Sequence, residues 1–510
     1  MNGSPPPRQS FRRAFIGALA VGILTTLLAF RVMPGGHDPS ALAALDFRVF
    51  YCAGEVVRTH GDPYHLEPLR SCEKRVAPTP GQTWEVTPAP FPGYVLAVFV
   101  PLSRLPYHLA HSIWVGLMVG ASALATFLLA DLLAWPVLAV AFILLPTATL
   151  LNLYLGEPTP LAIGALVSAA FLASLGRFRT CALALGVAMI EPHIALPALA
   201  ALAIAVPRAR TTVVAIVAGL GALSLTAIGI AHNVEYFQEA LPFQARAEVF
   251  ATDQYSLTHL LALVHVKPSL AITLGGISYF LSAALGVILA LRHRGTPLGE
   301  ARFILIPGAV GLLGGSFVHD AQIASALPAV LLLTMTAKRP ALGVIALVAL
   351  TFSFMAIGSK DGLAFAVLAA AAAGIWGVRT IGFSRIRAGF LSAAAMLILV
   401  LTISRMQNQA PNQGPTTPPV LSESQREQPS STAGLTWGEQ ILENPSMSKE
   451  TAADLARKLP AWIGLGLLIA LARRLPIDAS SERNIRDRYS VEYETAPAKS
   501  PTPQGVPHDG

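Results

Sequence analysis

The sequence predicts an all-α integral membrane protein, a polytopic bundle of about twelve transmembrane helices with further interfacial helices. Of its 510 residues, 53% are hydrophobic and only 13% are charged, which is the composition of a membrane protein. Apolar runs of about 20 residues, the length that crosses a hydrocarbon core, recur from Ala14 to Ala472. Runs such as Ala201–Val206 are apolar at every position, which favours helices over alternating strands.

The first apolar run, 14–32, follows three arginines and is interpreted as the first span. A signal peptide is the alternative, but no small-residue cleavage motif follows the run and further spans do. The net charge of +7 comes from basic residues at helix ends, not from one continuous face. These residues therefore indicate topology, and no nucleic-acid partner is expected.

Short clusters of arginine and lysine give the topology, because positively charged loops stay in the cytoplasm. With residues 1–13 as a cytoplasmic segment, nearly all clusters fall on one side. Ala182–Val206 has basic residues at both ends and Pro192 near its middle, so it is predicted to form a hairpin that enters and leaves on the cytoplasmic side. The predicted spans are 14–32, 107–130, 136–155, 158–175, 211–231, 269–291, 302–318, 320–336, 340–357, 362–378, 386–404 and 459–472.

The chain is thus divided into a transmembrane bundle and polar extensions. The bundle, 14–404, carries long outer loops at 34–106 and 232–267. The stretch 405–458 is rich in Pro, Gln, Ser and Thr and is predicted to be an extracytoplasmic, largely disordered loop. A last span with its basic end, 459–474, precedes a disordered tail, 475–510.

The first outer loop begins with a predicted interfacial helix. Phe47, Phe50, Tyr51 and Val57 fall on one helical face, and Asp46 stands at the start. Asp46 has two open interpretations: its carboxylate caps the first amides, or it takes a proton from an acceptor hydroxyl at the membrane surface. A second interfacial element is predicted between prolines 90 and 106.

Two of the three cysteines, Cys52 and Cys72, lie in this loop, where a disulfide is one open possibility if the compartment is oxidising. No Cys/His spacing indicates a zinc site, and no Asp-x-Asp motif is present to hold a divalent metal. The sequence therefore predicts no metal and no cofactor in the reaction.

Other polar side chains lie at predicted outer helix ends, at the outer turn between two apolar runs or deep in the hairpin. Each one alone is explained by a loop position or by a satisfied polar group in a bundle. Their convergence on one side makes them candidates for substrate binding. The candidates are Glu157, Glu191, His193, His259, His319 and Asp320.

A series of short motifs resembles glycosyltransferase family 87, a group within the GT-C superfamily of polytopic enzymes. The motifs recur in order over most of residues 40–335. They are Asp46-Phe47-x-x-Phe50-Tyr51, Gly61-Asp62-Pro63-Tyr64, Pro90-Phe91-Pro92 through Pro106, Leu155-Gly156-Glu157-Pro158, Gly176-Arg177, Glu191-Pro192, Gln254-Tyr255-Ser256-Leu257 and the turn from His319 to Pro328.

This resemblance implies a GT-C-like fold and transfer of a sugar, most simply a mannose-like hexose, from a polyprenyl phosphate to an extracytoplasmic lipid or glycan acceptor. It implies that Asp46 is the general base of an inverting, metal-independent displacement. Arg48, His259 and His319 are the expected donors to the phosphate. The resemblance further implies a multi-pass protein of the cell membrane, in contact with membrane lipids, with a cytoplasmic N-terminus and an extracytoplasmic active site.

Two departures from the family pattern affect the expected substrate. The family commonly has Gly-Gln where this chain has Gly156-Glu157, and Lys-Pro where it has Glu191-Pro192. Two carboxylates thus replace an amide and a cation, which changes the expected contacts with sugar or lipid phosphate. A lipid-linked-sugar flippase or small-solute transporter, and a non-catalytic assembly subunit, are the alternative functions.

Overall fold

The computed structural model describes residues 45–76, 89–145, 150–249, 254–337, 341–355 and 452–474, with parts of 11–27. Within these ranges the regular elements are helices. The predicted spans 362–378 and 386–404, most of the predicted loop 405–458 and the tail 475–510 lie outside the described residues.

Most of the described helices are joined by connections of a few residues. They are α1 (Leu45–Arg58), α2 (Leu66–Val76), α3 (Gly93–Leu102), α4 (Tyr107–Leu133), α5 (Val137–Leu144), α6 (Leu150–Leu155), α7 (Thr159–Ser174), α8 (Phe178–Ala188), α9 (Pro192–Ala205), α10 (Arg210–Glu235), α11 (Leu241–Ala247), α12 (Leu257–Leu263), α13 (Pro268–Leu291), α14 (Pro297–Gly311), α15 (Asp320–Ile323), α16 (Leu327–Thr336), α17 (Ala341–Met355) and α18 (Ala452–Arg474). Short 3-10 turns precede α10 and α16, and a π-helical turn, Tyr236–Ala240, follows α10.

Proline and side-chain caps start many of these helices. Pro192, Pro268 and Pro297 occupy the first turns of α9, α13 and α14, where a missing N–H costs nothing and a fixed φ favours the helix. The Ser256 and Thr296 side chains accept hydrogen bonds from backbone amides at the starts of α12 and α14. The local sequence therefore explains where these helices begin.

Three helical stretches among the described residues are long and apolar enough to cross a membrane: Tyr107–Leu133, Pro207–Arg246 and Pro268–Leu291. Shorter apolar helices pack around them, including α3, α7, α8 and α9. The all-α class and the presence of membrane-spanning helices are thus confirmed. The predicted number of about twelve crossings is not confirmed.

The helices enclose two hydrophobic clusters. The larger one lies among α4, α7, α8, α9, α14 and α16, and the smaller one surrounds Phe47, Phe99 and Trp114. Two residues that are adjacent in sequence belong to different clusters: Met189 to the larger one and Ile190 to the smaller one. The segment just before α9 therefore lies where the two clusters meet.

Arginine residues mark one end of the bundle. Arg179 Nε donates to the carbonyl of Arg208 at 3.4 Å, and Arg294 Nη1 donates to the carbonyl of Ala205 at 2.6 Å. His293 Nε2 lies 3.0 Å from the carbonyl of Ala472, near the C-terminal end of α18. The connections α7–α8, α9–α10 and α13–α14 consequently lie at this basic end.

The predicted hairpin around Pro192 is present as the pair α8 and α9. It runs from the basic end to a turn at Glu191 and returns to the basic end. At about 1.5 Å per residue, the 11 residues of α8 and the 14 residues of α9 extend only about 17 and 21 Å. Both are shorter than a hydrocarbon core of about 30 Å.

Two elements differ from their sequence-based expectations. Helix α1 was expected to lie half-exposed in the membrane interface, but Phe47, Val49, Cys52 and Ala53 are all buried, so both of its faces are covered. The last helix was expected to begin near residue 459, and α18 begins at Ala452. A predicted loop therefore contributes its final residues to the bundle.

Candidate functional site

Asp46 is held beside Glu157 by a close backbone approach. Asp46 lies in the first turn of α1, and Gly156 adopts φ +87° directly against Phe47 of the same turn. A Cβ at position 156 would lie 2.6 Å from Phe47 Cβ, so only glycine fits. Trp114 Nε1 donates to the Gly156 carbonyl at 2.8 Å and secures the turn.

The side chains of Asp46 and Glu157 are hydrogen-bonded to each other. Glu157 lies in the break between α6 and α7. Its side chain is only partly exposed. Burial, followed by the carboxylates of Asp46 and Glu191, raises the pKa of Glu157 well above its usual value, while His319 opposes this effect. Glu157 is therefore the member of the pair expected to carry the shared proton at neutral pH.

Glu191 lies at the turn of the hairpin, within the electrostatic reach of Glu157. Thr159 Oγ1 donates to Glu191 Oε1 at 3.3 Å, and His193 Nδ1 lies 3.5 Å from Glu191 Oε2.

His319 faces the carboxylates from the turn before α15. Its Nε2 lies 2.7 Å from Glu248 Oε2, and Gln254 Nε2 donates to the same oxygen at 2.6 Å. Gln254 Oε1 in turn accepts from the backbone amide of Val318 at 2.9 Å. A network of buried or half-buried polar groups thus fixes His319 opposite Glu157.

A buried cation lies next to this network. Lys458, from the first part of α18, places Nζ 2.6 Å from His259 Nε2 and 5.8 Å from the centre of the Tyr255 ring. His259 Nδ1 lies 2.8 Å from the carbonyl of Val249. Since a carbonyl only accepts, Nδ1 carries the hydrogen and Nε2 accepts from the lysine ammonium group. Lys458 is 2% exposed, so its charge acts within the protein interior.

The arrangement places several carboxyl groups beside two imidazoles and the amine of Lys458. A family model for glycosyltransferase family 87 matches residues 91–315. The resemblance to this family is confirmed. No curated protein matches the chain.

The match over residues 91–315, somewhat less than half of the chain, supports the prediction that this protein is a membrane glycosyltransferase. The matched segment contains Glu157, Glu191 and His259, whereas Asp46 precedes it and His319 follows it by four residues. The family match and the polar cluster consequently coincide over much, but not all, of the candidate site.

Most of the predicted site residues of this glycosyltransferase lie in one neighbourhood. Asp46, Glu157, Glu191 and His319 are within electrostatic reach of one another, and His193 contacts Glu191. His259 lies alongside with Lys458.

Two predicted site residues have other contacts. Arg48 Nε lies 3.7 Å from Glu73 Oε2, with both side chains buried between α1 and α2. Arg48 is two positions from Asp46 on a helix, so the two side chains point about 200° apart. Asp320 Oδ1 accepts from the amide of Ala321 at 2.6 Å, at the start of α15.

Glu248 and Lys458 were not among the predicted site residues. Glu248 follows α11 at the end of a described segment, and nothing near it in sequence indicates a partner 71 residues away. Lys458 had a signal, because a lysine next to an apolar run is unusual on the outer side of a membrane. Its partner His259 is 199 residues away.

The first outer loop is cross-linked close to the site. Cys52 of α1 and Cys72 of α2 form a disulfide with an S–S distance of 2.04 Å. Arg75 also pairs with Glu55 at 2.5 Å across the same two helices. The helix that carries Asp46 is thereby joined to α2 at its middle and near its end. Cys181, at the basic end of α8, is a buried free thiol.

Proposed function

We propose that this glycosyltransferase moves a hexose, of mannose type by family resemblance, from a polyprenyl phosphate to a lipid or glycan acceptor outside the cytoplasm. The observation that carries this proposal is the hydrogen-bonded pair of Asp46 and Glu157 in a cleft beside His319. The pair combines a carboxylate that can accept a proton with a protonated neighbour that orients it.

In the proposed reaction Asp46 takes the proton of the acceptor hydroxyl as its oxygen attacks the anomeric carbon. The new C–O bond forms on the face opposite the bond to phosphate, which breaks, so the configuration inverts. The electron pair of the broken bond leaves with the polyprenyl phosphate. Glu157, as the protonated partner, donates its hydrogen bond to Asp46 and keeps that carboxylate pointed at the acceptor.

The leaving phosphate gains negative charge as the bond breaks. Lys458 and His259 form a buried pair of nitrogen groups, and His319 adds a second imidazole nearby. We assign the phosphate to this side of the cleft because cationic and N–H groups in a low-dielectric interior stabilise such charge strongly. The carboxylates on the other side suit the uncharged sugar and acceptor hydroxyls.

Two features support an extracytoplasmic site in the cell membrane. The Cys52–Cys72 disulfide belongs to the helix that carries Asp46, and disulfides persist in oxidising compartments. The arginine-rich connections lie at the opposite end of the bundle, which the positive-inside rule assigns to the cytoplasm. A lipid donor would then meet the cleft from the outer leaflet.

The proposal is tested by sugar transfer from a labelled polyprenyl-phosphate hexose with purified protein in lipid nanodiscs. Asp46→Asn should reduce the transfer rate about a hundredfold or more, since positioned general bases contribute 10²–10⁴-fold. Glu239→Gln, an exposed carboxyl-to-amide change in the π-helical turn after α10, is the matched control and should retain transfer.

If Asp46→Asn transfers sugar at the wild-type rate, Asp46 is not the general base. If the wild type transfers no sugar from any polyprenyl-phosphate donor but moves the labelled lipid across the vesicle membrane, the flippase alternative is correct instead. Product stereochemistry gives a further check, because retention of the anomeric configuration contradicts a single displacement.

A further inference from the structure

Four metal-ligating side chains meet at the edge of the first outer loop. Asp62 and His65 belong to the turn after α1, and His232 and Glu235 belong to the last turn of α10. Ligand atoms of Asp62, His232 and Glu235 all lie within 4.8 Å of one another. His65 Nε2 completes the group at 3.4 Å from Asp62 Oδ2 and 2.8 Å from Glu235 Oε1.

The spacing of these atoms resembles the edges of a coordination tetrahedron. His232 Nδ1 lies 3.3 Å from Asp62 Oδ2 and 2.9 Å from Glu235 Oε2. Zinc bonds of about 2.0–2.2 Å to nitrogen and oxygen place tetrahedral ligand atoms about 3.4 Å apart. Asp62, His232 and Glu235 can thus approach one ion together, and His65, which contacts Asp62 and Glu235, would turn toward that ion to supply the fourth ligand.

An ion-pair cluster without metal explains these contacts less well. Each imidazole nitrogen faces two carboxylate oxygens, whereas a single N–H points well at only one acceptor. Two carboxylates at this distance also repel each other. One divalent cation at the centre satisfies both nitrogens and both carboxylates at once.

We propose that Asp62, His65, His232 and Glu235 bind a zinc ion that joins the first outer loop to α10. The mixed nitrogen and oxygen ligand set suits zinc, and the side chains are 17–38% exposed, which leaves the ion a path from solvent. The sequence carries the signal as two pairs, Asp62-x-x-His65 and His232-x-x-Glu235, each with ligands three residues apart.

This site is separate from the candidate catalytic cleft. Asp46 lies in the first turn of α1 and Asp62 follows the last turn, and the 14 residues of this helix extend about 21 Å. The zinc ion would hold the turn after α1 against α10, while the disulfide holds α1 to α2. The proposal does not depend on the sugar donor or on the assignment of Asp46.

The test uses full-length protein in nanodiscs, stripped with a chelator and then titrated with zinc or cobalt chloride alone. We expect one zinc ion per chain by elemental analysis, a higher thermal unfolding midpoint on zinc addition, and the visible absorption of tetrahedral cobalt. The double variant Asp62→Asn/His232→Gln should bind zinc more than about 100-fold more weakly, since even a lost outer contact costs 10–100-fold. His60→Asn, at an exposed histidine of the same loop, is the control and should bind as the wild type does.

The cobalt spectrum is read on the wild type itself, so it remains decisive if the double variant does not fold. The proposal is wrong if the wild type shows no tetrahedral cobalt absorption and no zinc-dependent change in unfolding midpoint. It is also wrong if the double variant binds zinc with unchanged affinity. If the wild type binds zinc but transfers no sugar, the proposed function is wrong and the zinc site is still supported.

Discussion

Gly156→Ala tests whether the close approach of two turns holds Glu157 at Asp46. The new Cβ would lie 2.6 Å from Phe47 Cβ and 2.9 Å from Phe47 N, in a residue with φ +87°. The left-handed conformation costs about 1–2 kcal/mol for a residue with a Cβ. Overpacking adds about 1–3 kcal/mol. We therefore expect a loss of about 2–5 kcal/mol of stability and a displacement of Glu157 relative to the first turn of α1.

Both effects can be measured on one sample. The thermal unfolding midpoint reports the stability, and the transfer rate from a polyprenyl-phosphate sugar reports the alignment of the pair. A displacement of about 1 Å at a catalytic group can cost 100-fold in rate, so we expect a loss of that order.

Gly176→Ala is the matched control for this prediction. Gly176 also has positive φ, at +69°, but a Cβ there would meet no atom within 4 Å. The control carries the backbone cost alone and should retain transfer. Equal losses of stability in the two variants, or normal transfer by Gly156→Ala, would refute the reasoning about the contact with Phe47.

Two further predictions concern the protonated carboxyl group and the buried cation. In the wild type, transfer should fall as the pH rises through the raised pKa of Glu157, because ionised Glu157 repels Asp46 and no longer donates to it. Glu157→Gln keeps a hydrogen-bond donor at every pH, so it should transfer sugar at neutral pH with a smaller alkaline fall in its pH–rate profile. Lys458→Met should raise the KM for the lipid donor about tenfold or more, the value of a lost charge-assisted hydrogen bond, in a steady-state assay. Lys267→Met, at an exposed lysine before α13, should not.

The first of these predictions is contradicted if Glu157→Gln is as inactive as Asp46→Asn, or if its pH–rate profile equals that of the wild type. The second is contradicted if Lys458→Met and Lys267→Met have the same KM for the donor.

Helix boundaries were predictable where proline and uninterrupted apolar runs coincide. The predicted spans 107–130 and 269–291 correspond closely to α4 (Tyr107–Leu133) and α13 (Pro268–Leu291). Within the span predicted at 136–155, the structure describes α5 and α6, and the residues 146–149 between them lie outside the described part of the chain.

The candidate site was predictable in composition but not in pairing. Asp46, Glu157, Glu191 and His319 are conspicuous as polar groups at the ends of apolar runs, so hydropathy finds them. The hydrogen bond of Asp46 to Glu157 and the contact of His319 with Glu248 join residues far apart in the chain. Only tertiary packing specifies such partners, which is why Glu248 and Lys458 were missed.

The short hairpin of α8 and α9 bears on how a lipid substrate reaches the enzyme. If its basic end lies at the cytoplasmic boundary, the 14 residues of α9 bring Glu191 about 21 Å across a core of about 30 Å. The acidic cleft then lies roughly 9 Å beneath the outer boundary, more than halfway from that boundary to the midplane of the bilayer. A polyprenyl donor would enter laterally from the bilayer, and its hydrocarbon chain would stay among the lipids. Only its sugar and phosphate would move from water into the cleft. The side of the cleft that faces water would remain open to the acceptor. The donor would therefore enter from the lipid and the acceptor from the aqueous side.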